Sequence, residues 1–275
     1  IALVTIILYR LFQRIKIFQQ SYQQFNKTSP GYFSINEKIN RKENTIKNWG
    51  EKKFKGVEDN IKFDNASVSV DGNKILSKVN FKFEKNKINA VIGKSGSGKT
   101  TLVDIITGLT DLDEGDLYID GVNINFYSKE SYQNSIGYVD QNPYLFNDTI
   151  INNIRWGAKN KISKNAIFEI SKQLKIHDLI NSLPNGYESN VGDFGNSLSG
   201  GERQRIVIAR TLINKPKILI LDEATSQLDT KSQKIVLSVI KKIKKNTTII
   251  MVTHRKETLE IADRIIKINW YYSKI

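Results

Sequence analysis

Cysteine is absent from the 275 residues, which excludes disulfides and cysteine-ligated metal and fits a reducing compartment. The layout of a secretory signal is missing too. The apolar run from Ile1 to Tyr9 stops at Arg10, far short of the roughly 20 residues that span a bilayer, so as it stands it cannot cross one. No self-similarity recurs at the 20- to 50-residue period of repeat architectures. What is present, 39% hydrophobic and 25% charged residues, describes a globular body with room for one sizeable domain and an appendage. The formal net charge of +14 fits nucleic acid or an anionic membrane face as a neighbour, and fits equally a composition rich in Lys, Asn and Ile. The chain starts at Ile1 and not at methionine, which reads as a fragment of something longer.

The stretch Gly93-Lys94-Ser95-Gly96-Ser97-Gly98-Lys99-Thr100 satisfies the phosphate-binding pattern G-x-x-x-x-G-K-[ST]. Its context is the one the pattern requires: 88–92 reads as a short buried strand, and 101–106 has helical apolar spacing. The glycines let backbone N–H groups turn onto phosphate oxygens, and the helix N-terminus adds positive potential there. Lys99 is placed to reach the terminal phosphates and Thr100 to put its hydroxyl on Mg²⁺, with Thr101 following. Further along, 218–221 is a buried strand that ends in Asp222-Glu223. This is a Walker B pattern, with Asp222 holding Mg²⁺ through water and Glu223 polarising the attacking water of hydrolysis.

Around these motifs the chain divides into three parts. After Arg10, Leu11, Ile15, Phe18, Tyr22 and Phe25 keep helical spacing with Arg14 and Lys16 between them, so 1–28 reads as the cytoplasmic end of a last transmembrane helix, the alternative being an ordinary amphipathic helix cut off at its start. Ser29-Pro30 predicts an N-cap and a second short helix to about Arg41, and 41–56 reads as a polar linker in which Trp49 and Phe54 are local anchors. From 61 onward, alternating strands at 61–70 and 79–83 precede the phosphate loop, further strands are expected near 117–121, 136–139 and 249–252, and helical spacing from 149 to 183 marks an inserted helical subdomain of about 142–205. The fold class is therefore α/β: a P-loop NTPase core with a RecA-like parallel sheet, an antiparallel β subdomain, an inserted helical subdomain and an N-terminal helical remnant.

Leu198-Ser199-Gly200-Gly201-Glu202-Arg203-Gln204 resembles the signature of ATP-binding cassette (ABC) ATPases. Physically it is a serine and two glycines at a helix N-terminus, a second anion site. The resemblance, covering about 61–268, implies that Ser199, Gly200 and Gly201 face the ATP of a second cassette, two chains sandwiching two nucleotides head to tail. It also implies that Gln141 is the Q-loop glutamine contacting Mg²⁺, that Ser226-Gln227-Leu228-Asp229 is the D-loop with Asp229 at the nucleotide interface, and that His254 is the switch histidine on the γ-phosphate. His177, the other histidine, has a surface reading. The nucleotide-binding set is Gly93, Ser95, Gly96, Ser97, Gly98, Lys99, Thr100, Thr101, Ser199, Gly200, Gly201 and Asp229; the catalytic set is Glu223, His254 and Gln141; the Mg²⁺ set is Thr100, Gln141 and Asp222.

Val191-Gly192-Asp193-Phe194-Gly195 resembles the exporter-type X-loop, which implies a fused or associated transmembrane domain, an inner (plasma) membrane location with the ATPase on the cytoplasmic face, and transport of a substrate. Tyr9-Arg10-Leu11 and its spacing to Ser29-Pro30 resemble lipid-linked-oligosaccharide flippases. A soluble ABC ATPase working on nucleic acid or ribosomes is the alternative. The single cassette and the lack of a long coiled-coil interruption argue against it, so nucleic acid is not an expected partner. The chain departs from the family pattern in two places: Val70 stands where an adenine-stacking aromatic is usual, and 271–275 replaces the usual closing hairpin and helix.

Overall fold

The computed structural model describes residues 2–45, 49–70, 72–158 and 161–268. They fall into two compact units, 1–48 and 49–275. The first contains one long helix, α1 (Ala2–Thr45), which passes through Pro30. The break expected at Ser29-Pro30 is therefore absent. A proline inside a helix removes one hydrogen bond and crowds the preceding turn, about 3 kcal/mol, yet the apolar period Tyr22, Phe25, Tyr32 crosses the site in phase and the helix continues with it. Leu3, Phe12, Phe18, Phe25 and Tyr32 are all exposed along α1. Among the described residues no helix is long and apolar enough to cross a membrane.

The second unit starts at Trp49, earlier than the expected boundary at 61, because residues read as linker are part of its core. Phe54 is buried, with its ring 5.3 Å from that of Tyr127 and 5.1 Å from that of Tyr132, and Trp49 lies 5.8 Å from Tyr132. Gly50 donates its N–H to the Asn125 carbonyl at 2.6 Å, and a Cβ at this position would fall on the Phe126 backbone. The two aromatics are anchors, as their isolation in a polar stretch suggested.

Two sheets follow. The antiparallel sheet has the order β2-β1-β4-β5, formed by β1 (Asn60–Val70), β2 (Asn73–Glu84), β4 (Glu114–Ile119) and β5 (Val122–Asn123). The parallel sheet has the order β6-β7-β8-β3-β9, formed by β3 (Ile88–Ile92), β6 (Ile136–Val139), β7 (Ile218–Asp222), β8 (Thr248–Val252) and β9 (Arg264–Lys267). β3, β7 and β8 are short, nearly continuous apolar runs because both faces of a parallel sheet are covered. One core cluster joins β1, β2, β4 and the phosphate-loop helix α2 (Lys99–Thr107); the other joins the helical subdomain to β7, β8 and α8 (Thr230–Ile243).

The helical subdomain lies between β6 and β7, as expected, with α4 (Ile150–Arg155), α5 (Lys164–Gln173) and α6 (His177–Ser182), and returns to the sheet through α7 (Gly200–Leu212). The short helices α3 (Lys129–Gln133) and α9 (Lys256–Leu259) and the edge strand β9 carried no clear period in the sequence. His177 is half-buried and not merely superficial, its Nδ1 2.9 Å from the Tyr187 hydroxyl. The tail 271–275 lies outside the described residues.

Candidate functional site

The carboxyl edge of an open parallel sheet is where such folds bind ligands, and β3, β7 and β8 all end there. β3 runs into the glycine-rich loop, β7 ends at Asp222-Glu223, and β8 leads through Thr253 to His254. The histidine strand lies between the other two, so the carboxylates face the phosphate loop across one strand and not from an adjacent one.

α2 begins at Gly98, whose φ of 87° lies in the left-handed region and which offers no side-chain cap. A Cβ there would strike Ile75 at 2.8 Å, so glycine is required on both counts. The first-turn N–H groups of α2 are left for a ligand. The Lys99 ammonium donates to the Gly93 and Lys94 carbonyls, each at 2.9 Å, and so spans the loop. Gly93 and Ser97 support the loop from behind: a Cβ on Gly93 would meet Ser97 Oγ and the Ile268 carbonyl.

The cavity above this loop, about 390 Å³, is lined by Ile75, Ser95, Gly96, Gly98, Lys99, Thr100, Thr101, Gln141, Asp222, Glu223 and His254. Glu223 adopts a φ of 47°, unusual for a residue with a side chain, and is pinned by its N–H to the Val252 carbonyl at 3.0 Å. Its Oε1 is 3.6 Å from Nε2 of His254. The Asp222 carboxyl is pushed above the ordinary carboxylate value by burial first, then by Glu223 and Asp140, with Lys99 offsetting part of this.

That excess of negative charge is what a divalent cation would relieve. Thr100 and Gln141 add oxygen donors in the same cavity, and Mg²⁺ suits such a site because it takes one or two carboxylates and completes its shell with water and phosphate. Among the described residues no group of three or more His, Cys, Asp or Glu could hold a metal alone, as expected for such an ion.

The other expected residues lie elsewhere. Ser199 caps α7 in a reciprocal box: its Oγ accepts from the Glu202 N–H at 3.3 Å and its own N–H donates to Glu202 Oε2 at 2.8 Å. Ser199, Gly200 and Gly201 do not line the cavity. Nor does Asp229, whose carboxylate caps α8 by accepting from the Lys231 and Ser232 N–H groups at 2.9 and 3.0 Å; hydrogen bonding from the Ser232 side chain first, then from these N–H groups, holds its pKa down. The nucleotide role expected for Asp229 concerns a second cassette, and this cap engages its Oδ1. Sequence reasoning missed Ile75, the one apolar side chain among the described lining residues; its only local signal was its place in the strand that follows the β1–β2 turn.

A chain that converges a phosphate loop and a strand-end carboxylate pair on one sheet edge is a P-loop nucleotide-binding protein. The family is narrower: residues 76–226 match the ABC transporter family model, and the chain belongs to that family. It is 39% identical over 227 residues to the ATP-dependent lipid A-core flippase of Haemophilus ducreyi, covering 82% of this chain and 39% of that protein. To the protein of the same description from Escherichia coli K12 it is 38% identical over 222 residues, 80% of this chain and 38% of that protein. Among solved structures it resembles a bacterial Atm1-family ABC exporter with ATP bound, at 31% identity and a TM-score of 0.78, over 89% of this chain and 44% of that one. The chain thus spans about 39% of the length of the curated relatives it matches.

Proposed function

We propose that this chain is the ATP-binding and ATP-hydrolysing cassette of an ABC exporter, and that two cassettes pair head to tail around two ATP molecules. The observation that carries the reading is the convergence of Lys99, Thr100, Gln141, Asp222, Glu223 and His254 on one cavity. The loop N–H groups and the Lys99 ammonium hold the β- and γ-phosphates. Thr100, Asp222 and Gln141 hold Mg²⁺, which when bound polarises the phosphoryl oxygens. Glu223 takes the proton of the attacking water, and His254 contacts the γ-phosphate. Ser199, Gly200 and Gly201, exposed or half-buried at the start of α7, close over the partner's nucleotide.

A membrane partner is supported by an aromatic surface beside the Q-loop. Tyr144, Trp156 and Phe194 are 49, 57 and 65% exposed; Phe146 joins Tyr144 and Trp156, at 5.1 and 4.6 Å, and Phe194 packs on Tyr144 at 5.5 Å. Arg210 holds the patch from beneath: it donates to the Tyr144 and Asn153 carbonyls at 2.9 and 2.8 Å and lies 5.4 Å from the Phe146 ring. So large an exposed ring cluster on a rigid base fits a docking surface for a transmembrane domain. In this reading α1 is the cytoplasmic end of that domain's last helix, and the ATPase works on the cytoplasmic face of the inner membrane. The names of the relatives support a lipid or lipid-linked glycan as substrate; nucleic acid is not a partner. The test is Mg²⁺-dependent ATP turnover by the full-length product in liposomes together with movement of a labelled lipid. Turnover without lipid movement would keep the ATPase and remove the substrate.

A further inference from the structure

Arg255 follows His254 directly, and its guanidinium turns away from the cavity. It donates to the Ser226 carbonyl at 2.7 Å, to the Leu228 carbonyl at 3.3 Å and to Gln233 Oε1 at 3.0 Å. Two of these acceptors are backbone oxygens of the 226–229 loop. The third belongs to α8, where Gln233 is itself buried and donates to Thr258 Oγ1 at 3.4 Å.

The same loop seats the first turn of α7. Gln227 Oε1 would lie 3.3 Å from a Cβ on Gly200, and Leu228 Cδ2 would lie 3.6 Å from one on Gly201. The Gln227 amide also donates to the Gln141 carbonyl at 3.4 Å. A continuous path therefore runs from His254, which lines this chain's own phosphate cavity, through the Arg255 fork to the loop, and from the loop to the Ser199–Gly201 turn. None of the three Arg255 contacts lines the cavity.

We propose that Arg255 is a positioning residue that ties the switch histidine to the signature turn, so that occupation of one chain's phosphate cavity sets the turn that closes on the partner's nucleotide. The inference rests on the paired-cassette reading above. A planar fork bonded to two carbonyls of one loop, those of Ser226 and Leu228, fixes both position and orientation, which a single ammonium does not. Removing it leaves Mg²⁺-ATP binding to the own cavity intact and weakens pairing and turnover.

The test compares wild type, Arg255→Met and Arg255→Lys in the full chain. Mg²⁺-ATP affinity is measured at protein concentrations too low for pairing, nucleotide-driven pairing by light scattering in the Glu223→Gln background, and kcat and KM by phosphate release. Arg255→Met is expected to keep ATP affinity within about twofold and to lose on the order of tenfold in both pairing and kcat, as fits the loss of charge-assisted hydrogen bonds. Arg255→Lys should fall between, with KM unchanged, and serves if Arg255→Met does not fold. Pairing and kcat equal to wild type in both variants, or ATP affinity lost in step with kcat, would overturn the role of Arg255. A wild type that binds Mg²⁺-ATP but neither pairs nor turns it over would overturn the functional reading itself.

Discussion

The chain carries two glycine-rich helix starts, and they are finished differently. α2 opens on Gly98 with no side-chain cap, is backed by Lys99, and faces Asp222, Glu223 and His254 across a cavity of the same chain. α7 opens on Ser199 within a closed capping box, and none of Ser199, Gly200 and Gly201 lines that cavity. A helix start that must receive a ligand from its own chain leaves its donors open. One that must stay ordered before a partner arrives closes its own cap, a contribution of about 1 kcal/mol, and keeps the Ser199 O–H as a donor. On the proposed paired-cassette reading, the difference separates residues that bind and cleave from residues that complete.

The largest effect expected on that division is at Glu223. Glu223→Gln keeps the shape of the cavity but cannot accept a proton, so hydrolysis should fall by roughly 10²- to 10⁴-fold while Mg²⁺-ATP binding persists. Phosphate release and nucleotide-dependent dimerisation measure the two separately; turnover near wild type would take Glu223 out of the reaction.

At the other helix start, Ser199→Arg should abolish activity in a pure dimer while leaving ATP binding to the own cavity unchanged. Mixed with Lys99→Ala chains, it should regain part of the activity, because one composite site then carries neither change. A pure Ser199→Arg protein as active as wild type would mean that α7 completes no site.

Much of this was legible because each motif is local: the loop, the strand-end carboxylates and the signature each occupy fewer than ten consecutive residues inside a recognisable strand or helix period. What was not legible depends on distant partners. Phe54 reads as part of a linker until its N–H meets Ser131 Oγ, 77 positions away, and its ring meets Tyr127 and Tyr132. The alternation in β1 breaks at Asn65, whose φ of 47° belongs to an irregularity in the pairing between Phe63 and Ala66. The glycine that accommodates it, Gly115, lies on the paired strand β4 against the Asp64 and Asn65 carbonyls, 50 positions away from Asn65 in the chain, and the irregularity leaves both Phe63 and Ala66 buried. Asp229 reads as a nucleotide ligand in the sequence, and only the structure shows that its Oδ1 also caps α8.

A smaller effect concerns the charge crowded at the α2 cavity. Asp222 has its carboxyl raised above 3.8 by burial and by its acidic neighbours. An acid raised on folding binds protons more readily in the native state. Stability in the absence of Mg²⁺ and nucleotide should therefore fall as pH climbs from that value through the raised one, and the loss persists at neutral pH. Asp222→Asn should raise the thermal midpoint at pH 7, on the order of 2 °C, and flatten this acid-side dependence while abolishing Mg²⁺-dependent turnover. A midpoint equal to or below that of wild type across pH 4 to 7, in roughly the ordinary carboxylate range, would show that the crowding costs the fold nothing.

The smallest effect concerns the base of the nucleotide, which the proposed reading puts beyond the phosphate end of the α2 cavity. The phosphate end is dense with donors, whereas among the described lining residues the only apolar side chain is Ile75 and none is aromatic. Val70 ends β1 44% exposed, at the position where the family pattern has a ring. Phe63 does not replace it: the irregularity at Asn65 turns it inward, where it is 0% exposed with its ring 4.8 Å from Phe81. Stacking of a base on an aromatic is worth roughly 1 to 3 kcal/mol in nucleic-acid sites and aromatic pairs about 0.5 to 1.5 kcal/mol. Val70→Tyr should accordingly tighten ATP binding by about threefold to tenfold. The gain should vanish for inorganic triphosphate, which has no base. Titration of both proteins with ATP and with triphosphate in Mg²⁺ decides it: equal affinities for ATP would mean that another residue already stacks the adenine or that the end of β1 does not border the base.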